Sequence, residues 1–477
     1  MVFSSLTFLF LFLPVVLFLL SLCRKIPYQN TLLFLSSLLF YAWGGVSYTL
    51  ILLGSIVVNF LAGNAIQNHP HHRKLWFTLA VILNLSSLIF FKYANFLVDN
   101  VNVLTSIFGI SPIFLKRILL PIGISFYTFQ CISYLTDVYR GQVQAQTNFI
   151  RLGTYIALFP QLIAGPIIRY HEIEPQLSQR DFSWENLYQG IQRFCLGLAR
   201  KILIANQLAL IADDIFARAP GTITSATAWL GALVYALQIY YDFAGYSDMA
   251  IGLGRMFGFR FPENFNFPYL ATSIRDFWRR WHITLSAWFK DYLYIPLGGN
   301  RKGKGRTYLN LYIVFFLTGL WHGASWTFVV WGLMHGTLMV VERLGFDRLL
   351  EKSYQPLRHL YTLLMVVVAW VFFRADSLDY AVTFVGRMFS FQGGGLSPFM
   401  AYYRQPLYWV VGIIALLGAT PLFDWLNRQW KTAVCNGNRC MSHLRYWSVM
   451  IGMVAVLFIS CCFLVTGGYN PFIYFRF

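Results

Sequence analysis

The chain has 477 residues, of which 57% are hydrophobic and only 12% are charged. Soluble proteins carry about twice that charged share, so the composition excludes a soluble globular enzyme and predicts an integral membrane protein.

The excess of Lys and Arg leaves a net charge of +18. Cytoplasmic loops that follow the positive-inside rule account for this excess, and an anionic partner such as acidic lipid or a phosphorylated acyl donor is the alternative explanation. Nucleic acid is not expected, because the basic residues flank apolar segments.

The first apolar run, residues 2–22, is followed by Arg24 and Lys25. A secretory signal carries its positive charges before the run, so we expect a retained first span with its N-terminus outside. Further apolar segments lie at about 31–45, 47–66, 75–95, 118–135, 150–165, 202–212, 226–255, 308–321, 324–341, 360–373, 407–425 and 447–467. Several are shorter than the roughly 20 residues of a straight crossing, which favours half-helices or re-entrant segments. We predict an all-α polytopic bundle of about ten to twelve transmembrane helices, with residues 1–477 as a single domain.

The longest polar interval, residues 256–307, is predicted to be a cytoplasmic amphipathic segment. From Ile274 to about residue 295 the spacing predicts one helix, with an apolar stripe that includes Trp278 and Trp288. Arg275, Arg279 and His282 follow the same three- and four-residue rhythm on another face. Two interpretations stay open: a membrane-surface anchor with snorkelling arginines, or the cationic wall of a cavity into which His282 points.

The sequence GLWHGASW places His322 in an apolar stretch between small residues. Ionisable side chains at membrane depth are costly and mark pathways or reaction sites, although a lone histidine is more often a structural residue. Gly319 and Gly323 permit close backbone approach or a break between two half-helices. A neutral imidazole in such a place is suited to removing a hydroxyl or thiol proton. On one continuous helix, His335 would point away from His322.

Metal and nucleotide sites are not indicated. The seven cysteines show no paired framework, and we expect free thiols and no metal site. The sequence G-x-x-x-x-G-K occurs at Gly298 to Lys304, but Gly305 stands where a magnesium-binding hydroxyl is required. We therefore expect no tightly bound cofactor.

Several longer stretches resemble one family. The block 263–336 contains SIRDFWRRWHITLSAWFKDYLYIPLGGNRKGKG and GLWHGASW, and LPIGISFYTFQ, FPQLIAGPIIRY, YDFAGYSDMAIGLG and FFRADS lie in matching order around it. These residues resemble the membrane-bound O-acyltransferase family, in the bacterial branch that includes the alginate O-acetylation membrane subunit and the teichoic-acid D-alanylation protein. The resemblance covers nearly the whole chain.

This resemblance implies a central tunnel near the bilayer midplane through which an acyl group passes from a cytoplasmic thioester, either acetyl-CoA or an acyl carrier protein. It assigns the catalytic base to His322 and a second site position to His282. It implies that Arg275, Arg279, Arg280 and Lys290 face the donor phosphates, and that Trp321 and Ser325 bind substrate. It further implies a bacterial inner-membrane location. Because no soluble segment is long enough to hold a periplasmic catalytic domain, we expect a separate periplasmic esterase-like O-acetyltransferase subunit as partner.

The expected reaction is O-acetylation of an extracytoplasmic polysaccharide, with alginate first. The alternatives are D-alanyl or other acyl transfer to another envelope polymer such as cellulose or peptidoglycan, and a non-catalytic transporter or scaffold. The tail 468–477, NPFIYFRF at its end, is expected outside the membrane. Tyr474 is then either an interfacial aromatic or a phenol that accepts the acyl group transiently.

Overall fold

The computed structural model describes residues 1–435, 439–466 and 469–470, without the side chains of 433–445. Within these residues the chain is helical and forms no β-strand, which confirms the all-α prediction. Tyr474 lies outside the described residues, as does most of the tail. The α-helices are Leu13–Leu22, Ile26–Ala42, Val46–Asn68, Arg73–Ser106, Ile124–Tyr139, Phe149–Ala157, Phe159–Leu162, Tyr170–Ser178, Trp184–Ala199, Asn206–Phe216, Ser225–Met256, Ile274–Arg280, Ile283–Phe289, Gly303–His322, Trp326–Val341, Asp347–Lys352, Gln355–Arg374, Leu378–Phe389, Pro406–Gly418, Leu422–Cys435 and Arg439–Val465.

Shorter helical turns join several of these helices. The π-helical turns are Phe8–Phe12, Arg200–Ala205, Lys290–Tyr294 and Glu342–Phe346, and the 3₁₀ turns are Pro70–His72, Pro220–Thr222, Pro268–Leu270 and Pro398–Arg404. Each 3₁₀ turn begins at a proline, whose fixed φ suits the first position of a helix.

Five described helical stretches are long and apolar enough to cross a membrane: Val46–Asn68, Pro70–Ser106, Trp184–Phe216, Gln355–Arg374 and Tyr446–Val465. The pair Pro406–Gly418 and Leu422–Thr432, bent by 70°, makes a sixth if it forms one broken span. The first apolar run gives only a 15-residue helix, Phe8–Leu22, which is shorter than a straight crossing requires. The expected count of ten to twelve stays a prediction.

The long helix Ser225–Met256 is buried along most of its length and packs closely on Trp184–Ala199. Glycines on both helices make this approach possible. A Cβ on Gly197 would lie 2.5 Å from the Gly245 carbonyl oxygen, and one on Gly252 would lie 2.7 Å from that of Gly190. Small residues at seven-residue spacing therefore bring the two backbones into contact, as in other membrane helix pairs.

The helix Gly303–His322 and the next helix, Trp326–Val341, form a tight antiparallel hairpin. A Cβ on Gly319 would lie 2.3 Å from the Phe328 carbonyl oxygen, and one on Gly332 would lie 2.3 Å from that of Phe315. The backbone becomes extended at Gly323, where φ is −168°. The expected close approach and break at GLWHGASW are thus confirmed. We call Gly303–His322 the histidine helix.

The prediction of one helix from Ile274 to about residue 295 is wrong. The helix ends at Arg280, Trp281 is extended, and His282 adopts the left-handed conformation with φ 44° before a second helix begins at Ile283. Partners from the preceding loop stabilise this break, because the Asn266 N–H donates to the Arg280 carbonyl and the Ile283 N–H donates to the Asn264 carbonyl. The spacing of apolar residues within this segment cannot predict the break, because the groups that replace the helical hydrogen bonds belong to the preceding loop.

The apolar stripe of this segment faces protein. Trp278, Trp281, Leu285 and Trp288 are all buried against neighbouring helices. This burial favours the cavity-wall interpretation of the segment over the membrane-surface anchor.

Candidate active site

His322 is the last residue of the histidine helix and is buried, with 5% of its surface exposed. Its ring is enclosed by aromatic side chains: the ring centroids of Trp321, Trp331 and Phe373 lie 4.9, 5.1 and 5.1 Å away. Its Nδ1 is buried without a hydrogen-bond partner among the described residues. Buried polar atoms are normally paired, so this nitrogen needs an explanation, and its position beside a cavity makes it a candidate reacting group.

A cavity of about 220 Å³ lies against His322. Its wall combines two ionisable side chains, His322 and Lys92, with Ser125 and a largely apolar surface. The lining residues are Lys92, Leu120, Pro121, Ile122, Gly123, Ile124, Ser125, Phe126, Ile163, Trp321 and His322. We call it the central cavity. Its volume is below that of a usual ligand pocket and suits a small group such as an acyl chain of a few carbons.

His282 is completely buried, and its hydrogen bond defines its tautomer. The Nδ1 lies 3.1 Å from Asn264 Oδ1, which also accepts hydrogen bonds from the backbone N–H and the hydroxyl of Thr284. Since that oxygen is an acceptor, Nδ1 of His282 carries the hydrogen and the neutral ring keeps a lone pair on Nε2. Nε2 is buried and has no partner in the described part of the chain. The ring lies 6.1 Å from that of Trp321.

His335 has a structural environment. Its Nδ1 accepts a hydrogen bond from the Trp278 indole N–H at 3.3 Å. Trp331 contacts both histidines, with centroid distances of 5.1 Å to His322 and 5.0 Å to His335. The two imidazoles therefore lie on the same indole, although His335 does not line the central cavity.

A second cavity, of about 550 Å³, is polar and open to solvent. Four of its lining side chains are cationic and one is acidic, and the only ion pair between them joins Arg275 to Asp347 at 3.5 Å. The lining residues are Arg275, Arg279, Asn300, Gly303, Lys304, Thr307, Tyr308, Arg343 and Asp347. We call it the basic mouth. It also contains the first turn of the histidine helix, whose N-terminal N–H groups favour anions. The mouth is suited to phosphate groups.

A narrower cavity of about 180 Å³ lies beside the basic mouth and shares Arg343 with it. Its wall is mainly apolar and follows the histidine helix from Leu311 to Thr318, one turn before His322. Lys290 and Ser286 line it from the opposite side. We call it the apolar groove. It therefore lies between the basic mouth and the end of the histidine helix.

The structure places some of the predicted site residues in these cavities and gives others a different role. Arg275 and Arg279 line the basic mouth, Lys290 lines the apolar groove, and Trp321 and His322 line the central cavity. Arg280 instead pairs with Asp276 and donates to the Asn266 carbonyl. Ser325 accepts a hydrogen bond from the Thr327 N–H and caps the next helix, so its side chain has a structural role here.

Sequence reasoning missed Lys92, Lys304, Arg343 and Asn264. The signal for Lys92 was present, because it is a lysine inside the apolar run LIFFKYANFL. Lys304 and Arg343 carried no such signal: they reach the mouth from two separate helices. Among the described residues, no group of three or more His, Cys, Asp or Glu side chains could hold a metal ion.

Comparison with known proteins agrees with this geometry. Residues 141–380 match the family model for MBOAT, the membrane-bound O-acyltransferase family. The chain is 42% identical over the full length of both chains to a Pseudomonas putida protein named "Probable alginate O-acetylase AlgI". It is 35% identical to the Helicobacter pylori peptidoglycan O-acetyltransferase over 100% of this chain and 98% of that one.

A third relative is more distant. The Bacillus subtilis teichoic acid D-alanyltransferase is 30% identical over 53% of this chain and 66% of its own. The matched family region, residues 141–380, contains His282, His322, the basic mouth and the apolar groove. The chain is a multi-pass membrane O-acyltransferase and belongs to the membrane-bound O-acyltransferase family.

Proposed function

We propose that this protein takes an acetyl group from a cytoplasmic thioester and passes it across the inner membrane for O-acetylation of an extracytoplasmic polysaccharide, with alginate as the first candidate. The position of His322 carries this proposal. It is buried at the end of a helix whose beginning lies in the basic mouth, and it lines the central cavity. The full-length relative named for alginate supports the choice of polymer.

Donor binding follows from the two cavities that precede His322. In the basic mouth, Arg279, Lys304 and Arg343 would hold the phosphates of coenzyme A or of a carrier protein's phosphopantetheine arm. The pantetheine chain would lie in the apolar groove, which ends one helical turn from His322. Binding of the remote phosphates would thus hold the thioester at the reacting centre.

At His322 the chemistry is acyl transfer. The acceptor oxygen bonds to the thioester carbonyl carbon while the imidazole takes the hydroxyl proton. The carbon–sulfur bond then breaks, and the same imidazole returns the proton to the departing thiolate. The aromatic enclosure excludes water, which limits hydrolysis of the thioester.

The orientation that we propose places the basic mouth in the cytoplasm, because Lys and Arg accumulate on that side of a bacterial inner membrane. The central cavity would then lie towards the outer side, where a separate esterase-like protein receives the acyl group. In this arrangement the N-terminus is outside, and Tyr474 of the tail would hand the acyl group to that partner.

Two other acceptors have specific support. The Helicobacter pylori relative is named for peptidoglycan and the Bacillus subtilis relative for teichoic acid. The volume of the central cavity suits either an acetyl or a D-alanyl group, so it does not distinguish between these transferred groups. The acceptor polymer has to be identified by experiment. The test must also distinguish an enzyme from a non-catalytic scaffold.

The test is complementation of a strain that lacks this gene with the wild-type chain, His322→Ala or Tyr474→Phe, at matched membrane abundance. Ester content of the isolated exopolysaccharide and of peptidoglycan is measured by NMR. We expect esters only on the exopolysaccharide and none with His322→Ala. Full acetylation by His322→Ala would show a scaffold rather than an enzyme, and esters on peptidoglycan alone would replace the acceptor. Near-normal acetylation with Tyr474→Phe would show that the Tyr474 hydroxyl does not carry the acyl group.

A further inference from the structure

Lys92 is a charged side chain inside the apolar helix Arg73–Ser106, and it lines the central cavity with His322. Its ammonium donates to three acceptors: the Trp321 carbonyl at 2.5 Å, the Ser125 hydroxyl at 3.3 Å and the His322 carbonyl at 3.4 Å. An ammonium group has three N–H donors, so this environment matches the protonated form completely. Lys92 is therefore held in place on the cavity wall, with an acceptor for each donor of its protonated form.

The carbonyls at the end of the histidine helix are all accounted for. A helix leaves its last four carbonyls without partners inside the helix. Here the Gly319 carbonyl accepts from the Gly323 N–H, and the Leu320 carbonyl accepts from the Tyr93 hydroxyl at 2.7 Å. Lys92 takes the remaining two, those of Trp321 and His322. Two adjacent residues of another helix thus hold the end of the helix that carries the imidazole.

We propose that Lys92 is a positioning residue for acyl transfer: its amino group fixes the backbone of His322 and, when protonated, places a positive charge on the wall of the central cavity. This inference rests on the proposed function of His322. In a thioester under attack, the carbonyl oxygen gains negative charge, and a fixed cation in a water-poor cavity stabilises that charge strongly. The same charge at the C-terminal end of a helix is favourable to the fold.

Tyr93 provides a matched comparison. It caps the neighbouring carbonyl of the same helix, but it is uncharged and is not among the residues that line the central cavity. If Lys92 only held the helix end, removal of either cap would have a similar effect. If its charge acts on the reaction, only Lys92 has a large effect on turnover.

The experiment uses the full-length chain in nanodiscs, with acetyl-CoA and an acetylated acyl carrier protein as donor probes, alginate oligosaccharides in excess as the acyl acceptor, and thiol release as the readout. The variants are Lys92→Met, Lys92→Arg and Tyr93→Phe, with His322→Ala as reference. We expect Lys92→Met to lower kcat about 100-fold at unchanged donor KM, because the donor is held in the basic mouth. Lys92→Arg should recover part of that loss, and Tyr93→Phe should lower kcat about fivefold at most.

The outcomes separate the two proposals. Thiol release by His322→Ala at the wild-type rate, or by neither donor with wild type, would overturn the proposed function. Dependence on His322 together with a wild-type kcat for Lys92→Met would overturn only the role of Lys92, as would a loss that lies wholly in KM or equal losses for Lys92→Met and Tyr93→Phe. If Lys92→Met does not fold, Lys92→Gln keeps two N–H donors without the charge. The same fall in kcat then supports the proposal, and a wild-type kcat overturns it.

Discussion

The basic mouth and the central cavity both contain cations, but they hold them in different ways. In the mouth, Arg275, Arg279, Lys304 and Arg343 surround an open, polar space that contains one carboxylate. In the central cavity, the Lys92 ammonium has an acceptor for each of its three donors. The mouth therefore leaves its cations available to an incoming anion, whereas the hydrogen-bond donors of Lys92 are already taken up by the protein. We therefore expect donor binding and acyl transfer to use separate regions of the histidine helix.

The largest effect is expected at the centre. His322→Gln keeps a polar side chain of similar size but removes the base, and we expect acyl transfer to fall at least 1,000-fold with normal folding. The measurement is thiol release by the purified chain, with melting temperature as the folding check. His335→Gln is the matched control, because His335 is also buried but accepts a hydrogen bond from Trp278 and does not line the central cavity. A loss of the same size in the control would place the base elsewhere.

His282 separates ring chemistry from backbone geometry. Its left-handed φ of 44° is tolerated by Asn far better than by a bulky apolar residue. We expect His282→Asn to keep activity within about tenfold and His282→Phe to lose about 100-fold, since Phe strains the backbone and removes one of the three donors to Asn264 Oδ1. Turnover and melting temperature of both variants are compared. Equal, complete inactivity of two folded variants would instead make the imidazole an obligatory proton carrier.

Two adjacent arginines, Arg279 and Arg280, test whether the basic mouth binds the donor. Arg279 lines it, whereas Arg280 is paired with Asp276 and the Asn266 carbonyl. Arg279→Ala should raise the donor KM about tenfold at unchanged kcat, because one charge-assisted contact is lost. Arg280→Ala should change KM less than about twofold. The difference should shrink at high salt, since exposed charges are screened. A larger effect at Arg280 would contradict the position of the mouth.

The smallest effect on catalysis is expected at Glu342, which binds the backbone of the helix that carries Arg275 and Arg279. Its buried carboxylate accepts the backbone N–H groups of Ile274 and Arg275 at 2.6 and 3.1 Å. Burial, the largest cause, raises the pKa of this carboxyl above its usual range. Glu342→Ala leaves two helix-terminal donors without their acceptor, which should cost about 1–3 kcal/mol of stability. Thermal unfolding in detergent measures this, and kcat should stay within about threefold. An unchanged melting temperature would contradict the capping role.

Pattern reasoning reached some of these residues and missed others for identifiable reasons. His322 was found because an ionisable residue in an apolar run is costly and therefore conspicuous. Lys92 had the same signal and was passed over. The helix break at Trp281 and His282 could not be found, because the groups that make it possible belong to Asn264 and Asn266 in another segment. Arg279 and Arg280 are equivalent by composition, and only their partners separate them.

The sequence by itself determined the membrane class and the helical content, and it singled out His322 as a candidate, because these depend on composition, on local hydrophobicity and on one ionisable residue in an apolar run. The tertiary structure decided which cations meet at the mouth, which carbonyls Lys92 holds, and how His282 is turned towards Trp321. Those features depend on contacts between segments far apart in the chain, such as Lys92 with Trp321 and Glu342 with Ile274. Hydrogen bonds of this kind follow from packing and leave no local periodicity in the sequence.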